Sequence, residues 1–295
     1  MKIFDCVPFF DEKMLFNLRL NVLKDKVYKF VVVEQSYTHS GERKKQNFNI
    51  EDYPDFKDRI IYFFLEDEPK NLHPIDEQNP EHVGLKRMNS IQRINIQYNK
   101  LKDGLVEANP DDLIIVSDCD EIPNLNNLDF NKIGNNFVLF KQLIFYYKFN
   151  LLHENHDWFG SKACKMNKLT DIQSLKYIKN KKYPFWRVDT FFSKNKFTNI
   201  KIIDEGGWHF TNIKDNKDIF YKLMNYGEHN EFERSGLSED DIQKLIDEKK
   251  LYFNHDADKT SSNKYSSQIE LKVTQDKALP KYLIDNKNLY QDWFA

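Results

Sequence analysis

Glycine and proline are scarce in this chain, nine of each in 295 residues, and cysteine is scarcer still, with three. So little glycine and proline rules out collagen-like and low-complexity sequence. Cys6, Cys119 and Cys164 are odd in number, far apart and without a C-x-x-C pair, so they indicate neither a disulfide framework nor a structural zinc site. No stretch of about 18 apolar residues is present, and Met1-Lys2-Ile3-Phe4-Asp5-Cys6 lacks the basic-then-apolar layout of a signal peptide. The expectation is a soluble chain without a transmembrane segment, in a reducing cytoplasm. An excess of either charge is missing too: 44 Lys and Arg against 46 Asp and Glu leave −2, which argues against broad nucleic-acid binding. What is present is bulk, with 24 Phe and 15 Tyr, enough for a sizeable core and aromatic-lined surfaces.

The first half alternates short apolar runs with helical patterns, as a parallel sheet with crossover helices requires. Strands are expected at 3–7, 28–33, 59–65 and 113–116, each nearly continuous in apolar residues as if covered on both faces. A helix is expected over 15–23 and a longer one over 88–105, where Met88, Ile91, Ile94, Tyr98, Leu101 and Leu105 form one stripe. Residues 66–82, with Pro69, Pro74 and Pro80, read as a long loop of the kind that carries function. Beyond Asn124 the pattern becomes long and aromatic, with mixed strands expected at 137–149, 185–193 and 199–203 and helices at 217–226 and 238–250. The expectation is one α/β domain over 1–253, with a donor half near 1–123 and an elaborated mixed carboxyl half over 124–253. A carboxyl-terminal extension over 254–295 packs against it.

The sharpest local feature is Leu113-Ile114-Ile115-Val116-Ser117-Asp118-Cys119-Asp120-Glu121-Ile122-Pro123. A buried strand ending in Asp-x-Asp-Glu puts carboxylates at the carboxyl edge of a parallel sheet, where open α/β folds bind ligands. Such oxygens suit a hard divalent cation, and the cation suits a diphosphate; an Asp-rich turn that only caps the next element is the plainer alternative. The run Tyr28–Val33 delivers Glu34 and Ser36 to the same edge, followed by a polar loop containing His39, with groups for a base, a ribose and phosphate. Arg87, Asn89, Gln92 and Arg93 occupy the start of the long helix, which faces that edge, and a phosphate role is expected for one of the arginines. Asp204-Glu205-Gly206-Gly207-Trp208-His209 combines two acids, a flexible pair, a ring and an imidazole, enough for a general base, a metal ligand and a sugar-stacking surface; a plain turn with Trp208 and His209 in the core is the alternative.

In order along the chain, Asp5–Glu12, Phe30–Glu34 with Thr38-His39-Ser40-Gly41, Gln92-Arg93, Ser117–Pro123 and Gly206–Phe210 resemble glycosyltransferase family 17, over roughly residues 3–235. That family contains β-1,4-mannosyl-glycoprotein 4-β-N-acetylglucosaminyltransferases. The resemblance implies a GT-A-type, Rossmann-like nucleotide-sugar-binding fold, a UDP-N-acetylglucosamine (UDP-GlcNAc) donor, a glycan acceptor, Mn2+ or Mg2+, and inversion at the anomeric carbon. Asp11 stands where the family usually has Asn, and Met88-Asn89 where an acid is common.

On that footing Asp120 is expected on the metal, Asp118 on the metal or the donor ribose, and His209 as a third ligand. Glu34, Ser36 and His39 are expected at the uridine end, with Arg87, Gln92 and Arg93 near the diphosphate and Trp158 and Trp208 as sugar-facing aromatics, core packing being the alternative for both rings. An inverting displacement needs a base on the acceptor side; Glu205 is expected first, then Asp204, then Asp189. Two competing readings remain: a haloacid-dehalogenase-like phosphohydrolase, disfavoured by Ile122 at the position two residues after the second Asp, and a non-catalytic nucleotide- or glycan-binding module.

Overall fold

The structure is a computed structural model that describes all residues except 77, 155, 191, 194, 256–261 and 266–267. The amino-terminal half builds a parallel unit from β1 (Ile3–Pro8), α1 (Lys13–Leu23), β2 (Lys29–Gln35), β3 (Ile60–Leu65), α2 (Val83–Lys100) and β4 (Leu113–Val116). β1 pairs in parallel with both β2 and β4, and β2 with β3. β5 (Glu121–Pro123) leaves this sheet, whereas β6 (Phe137–Phe140), β9 (Lys162–Lys165) and β10 (Ile200–Ile203) extend it to seven strands in the order β10-β6-β9-β4-β1-β2-β3, with β9 antiparallel to both neighbours.

Strand alternation explains its two cores. Ile3, Val7, Phe30, Val32, Leu113 and Ile115 face one apolar layer with α1, while Phe4, Cys6, Val31, Val33, Ile114 and Val116 face the other with Tyr98, Leu101 and Leu105. The three cysteines are buried and free.

A second sheet, β12-β8-β7-β11-β5, comes from β7 (Leu143–Tyr146), β8 (Leu151–Leu152), β11 (Gly207–Thr211) and β12 (Lys272–Val273) with β5. One of its faces joins the first core through Ile122, Phe145 and Phe210. Its other face, with Ile144 and Tyr146, carries a third core with Ile219 and Leu223 of α4 (Asn216–Asn225), Phe232 of α5 (His229–Glu233) and Ile242 of α6 (Glu239–Asp247). The short helices α3 (Ile172–Lys176) and α7 (Lys281–Asp285) complete the fold, and Leu279, Leu283 and Tyr290 seat the carboxyl-terminal segment in the first core.

Three expectations are corrected. The aromatic run 137–149 is two strands in different sheets, and 188–190 is a short 3-10 turn rather than part of a strand over 185–193. The long helix starts five residues earlier than its apolar stripe: Met88 and Ile91 are exposed, while Asn89, Ser90, Arg93 and Gln97 are buried. Its amino-terminal half therefore turns a polar face inward, which only a polar interior with partners tolerates.

Candidate active site

Strand order reverses beside β1: β2 and β3 lie on one side and β4 on the other, which opens a crevice at the carboxyl ends of β1 and β4. The loop Ser117–Asp120 leaves β4 into this crevice. It is held from within by one side chain, Arg19 of α1, which is fully buried. Arg19 pairs bidentately with Asp5 of β1 (Nε–Oδ2 2.7 Å, Nη2–Oδ1 2.6 Å) and donates to Ser117 Oγ (2.6 Å), Asp118 O (3.2 Å) and Glu121 O (2.7 Å). Asp5 has Ile3 and Val7 as same-face neighbours on β1, so the pair is a buried ionic element in a mostly apolar layer and fixes where the loop's backbone lies.

The three carboxylates of the loop go to different partners. Asp118 accepts from the Tyr98 hydroxyl and from Lys176 Nζ of α3 (3.0 Å). Glu121, almost completely buried, accepts from Lys176 Nζ (2.7 Å), Trp158 Nε1 (2.8 Å) and the Asp118 amide (2.7 Å). Gly160 makes room for it, because a Cβ there would lie 2.1 Å from the Glu121 carboxyl carbon. Asp120 meets Lys222 Nζ of α4 at 3.1 Å through one oxygen and faces His209 Nε2 at 3.6 Å through the other. Burial works against the charge on Asp120, yet Lys222 and then His209 hold its proton affinity far below the usual carboxylate range. Burial likewise opposes the charge on Asp118, and Lys176 together with the Tyr98 hydrogen bond more than offsets it. Lys176 and Lys222 are in turn raised by these acids against their own burial.

Beside Asp120, Glu12 binds the amides of Phe10 and Asp11 (2.9 and 3.2 Å) and is pushed up by burial and then by Asp11, while Lys214 pairs with Asp11 (2.6 Å). Lys176, Lys214 and Lys222 thus bring three ammonium groups to one edge.

The donor set for a divalent cation is narrow. Among the described residues, no three His, Cys, Asp or Glu side chains gather as a metal cage. Asp120 Oδ1 and His209 Nε2 converge, and His209 Nδ1 is buried without a hydrogen-bond partner. This pair fits a hard cation that draws its remaining ligands from phosphate oxygens and water. Asp118, turned to Tyr98 and Lys176, does not join it.

An aromatic and imidazole wall borders the carboxylates. Trp158 stacks on His209 with centroids 4.6 Å apart, and His156 and His255 lie 6.3 and 5.8 Å from Trp158. His153 stacks on His156 at 5.3 Å, and His255 Nε2 is bonded to the Tyr146 hydroxyl. Burial, then repulsion from His156, His209 and His153, pulls His255 down to about 3.

On the other side of the loop a cavity of about 260 Å³ is lined by Ser40, Asn89, Arg93, Asn225 and His229, among others. Arg93 reaches Glu68 (2.7 Å) and the His39 carbonyl (3.2 Å). His39, lowered by burial, bonds Gln97 (3.2 Å) and feels the charges of both Asp118 and Arg93, which places it between cavity and loop.

Several sequence expectations land elsewhere. Glu34 is fully buried, its carboxylate taken by Lys44, the amides of Asn47 and Phe48 (2.7 and 2.9 Å) and the Tyr62 hydroxyl (2.8 Å), so it anchors the 44–48 turn. Ser36 donates to Glu66 O (2.6 Å), Arg87 ties α2 to Gly227 and Glu228 (3.1 Å), and Gln92 is half-buried outside the cavity lining.

Trp208 pairs in register with Ile122 and Leu143, on the face of β11 opposite His209, and donates to Ala278 O (2.7 Å); it pins the carboxyl-terminal segment. Trp158 does stand beside Asp120's partner His209. Glu205 is exposed, at φ +48°, and its carbonyl accepts from Asn124 (3.3 Å) and Asn127 (3.1 Å). Gly207 opposes Pro123 and His209 opposes Glu121, so Glu205 lies beyond the Gly207 end of that ladder, in the turn that precedes β11. Asp204 is exposed in the same turn, and Asp189 is tied to Arg187 (2.7 Å) and Lys196 (3.0 Å) in an exposed segment. None of the three expected bases is brought to Asp120.

A polar crevice at the strand-order reversal, with a fixed carboxylate loop, three lysines paired with acids at its edge and a ring wall, is the candidate site of an α/β protein. The sequence profile of glycosyltransferase family 17 matches residues 1–294, and the chain belongs to that family. It is a glycosyltransferase, which sets aside the phosphohydrolase reading. A search of curated proteins returns no match. Among the described residues no helix is long and apolar enough to cross a membrane.

Proposed function

We propose that the protein transfers N-acetylglucosamine from UDP-GlcNAc to a glycan hydroxyl with inversion, using a GT-A-type arrangement of its parallel sheet. The observation that carries the reading is Asp120, kept ionised between Lys222 and His209 at the mouth of the crevice. The diphosphate lies against this edge, where Lys176, Lys214 and Lys222 offset the charge that grows on the departing UDP. A Mn2+ or Mg2+ ion held by Asp120 and His209 would add Lewis-acid stabilisation of the same leaving group. Arg93 and His39 guide the nucleotide toward the 260 Å³ cavity.

The acceptor meets the Trp158 side, where a sugar ring stacks and the half-exposed His156 takes the proton of the attacking hydroxyl. Glu205, exposed in the turn before β11, is not given that role.

The test is thermal unfolding with a panel of nucleotide sugars, with and without Mn2+. A ligand at a hundredfold excess over its Kd adds about 2.7 kcal/mol. UDP-GlcNAc with Mn2+ is expected to raise Tm most. Equal, negligible shifts for every nucleotide sugar would leave the donor reading without support.

A further inference from the structure

We propose that residues 179–196 form a membrane-docking loop that seats the protein on anionic lipid bilayers. The loop is closed at its neck by Lys179 N to Asn195 O (2.8 Å), and the chain re-enters the core where Phe197 packs on Phe137, with ring centroids 4.3 Å apart. Lys162, buried beneath it, donates to the carbonyls of Lys176 (2.8 Å) and Ile178 (2.5 Å) and so fixes the chain leading into the neck. Between these fixed ends the loop does the reverse of what a soluble surface does. Phe185 is 78% exposed, Trp186 66%, Val188 66% and Phe192 86%. Among the described residues, four large apolar side chains gathered on one short excursion mark an interaction surface rather than scattered exposure.

The cations around them select the partner. Among the described residues of the loop, Lys179, Lys181, Lys182, Arg187 and Lys196 stand against the single acid Asp189, in a chain whose overall charge is −2. Lys179, Lys181, Lys182 and Arg187 are exposed, and Asp189 is spent on Arg187 and Lys196. Phe and Trp side chains projecting beside lysines match the boundary of a bilayer: rings enter the interfacial zone and ammonium groups remain with anionic headgroups. The neck begins three residues after Lys176, which grips Asp118 and Glu121, so docking would bring the carboxylate edge close to the lipid surface. Lipid binding does not rest on the transferase reading.

The test is co-sedimentation of the full chain with vesicles of phosphatidylcholine alone or with about one third phosphatidylglycerol. The protein is expected to pellet with the anionic vesicles, at least about tenfold more tightly than with neutral ones, and to be released by high salt. The triple variant Phe185→Ser, Trp186→Ser, Phe192→Ser and the charge variant Lys181→Glu, Lys182→Glu, each with wild-type Tm, are expected to lose at least about tenfold in vesicle affinity. Quenching of indole fluorescence by brominated lipid is expected to fall in Trp186→Phe.

Wild-type binding by both multiple variants, or equal binding to neutral vesicles, would overturn the proposal. So would absence of vesicle binding together with a dimer that the triple variant dissolves, because the aromatics would then cover a second copy.

Discussion

Replacing Arg19 by methionine removes the support beneath the carboxylate loop while keeping a long apolar stem in the layer between α1 and β1. In the native protein its guanidinium satisfies both oxygens of Asp5, the Ser117 hydroxyl and the carbonyls of Asp118 and Glu121. Asp5 and Arg19 are both fully buried. Removing one member of such a pair leaves an uncompensated charge in the interior and typically costs about 3–5 kcal/mol, equivalent to a fall in Tm of roughly 5–8 °C for a chain of this size.

Two further variants divide that cost. Asp5→Asn leaves the loop contacts of Arg19 in place and weakens only the ion pair. The double variant Asp5→Leu, Arg19→Met removes both charges, and should recover the charge penalty but remain about 1–3 kcal/mol below wild type because the loop oxygens lose their donor. Urea unfolding measures the stabilities, and binding of UDP-GlcNAc reports on the loop. Donor affinity should survive in Asp5→Asn and fail in both variants that lack Arg19. An Arg19→Met protein with wild-type stability and wild-type donor affinity would refute the reasoning.

Two other outcomes follow from the site. His255 has its folded-state proton affinity pulled down to about 3, so between pH 3 and the unfolded value near 6.5 the unfolded chain holds a proton that the folded chain does not. Stability is then intact above about pH 6.5 and falls as the solution is acidified, by up to about 1.4 kcal/mol per pH unit, and His255→Gln should flatten that slope in urea unfolding. For the proton transfer, Glu205→Gln should keep turnover within a few-fold, whereas His156→Ala should lower kcat by roughly 10² to 10⁴ with donor affinity unchanged. Kinetics with the opposite pattern would return the base to the turn before β11.

Much of the amino-terminal half was legible because strand content there is local: β1 to β4 are short apolar runs with both faces covered, and they appear almost where expected. The Asp-x-Asp-Glu loop was legible for the same reason, since the strand and the acids are contiguous. Arg19 and Asp5 left a signal that periodicity passes over, a charge set within the apolar runs Ile3–Val7 and Leu15–Leu23. The polar face of α2 was hidden because Asn89, Arg93 and Gln97 look solvated until the cavity, the His39 loop and the ends of β1 and β2 are placed against them. Lys176, Lys222 and His255 carry no local mark at all; they reach the crevice from short helices and a loop 58, 102 and 97 residues away from Asp118, Asp120 and Trp158. Of the two readings open for Trp208, the structure has core packing, because strand alternation turns it to the core while His209 faces the site.

The central claim is that Asp120 anchors catalysis of sugar transfer, and UDP release from UDP-GlcNAc, followed in parallel for wild type and Asp120→Asn with Mn2+ present, tests it most directly. The account predicts measurable release by the wild type and its loss by at least about 10²-fold in a variant whose unfolding transition shows it to be folded. A folded Asp120→Asn protein that releases UDP at the wild-type rate would contradict it.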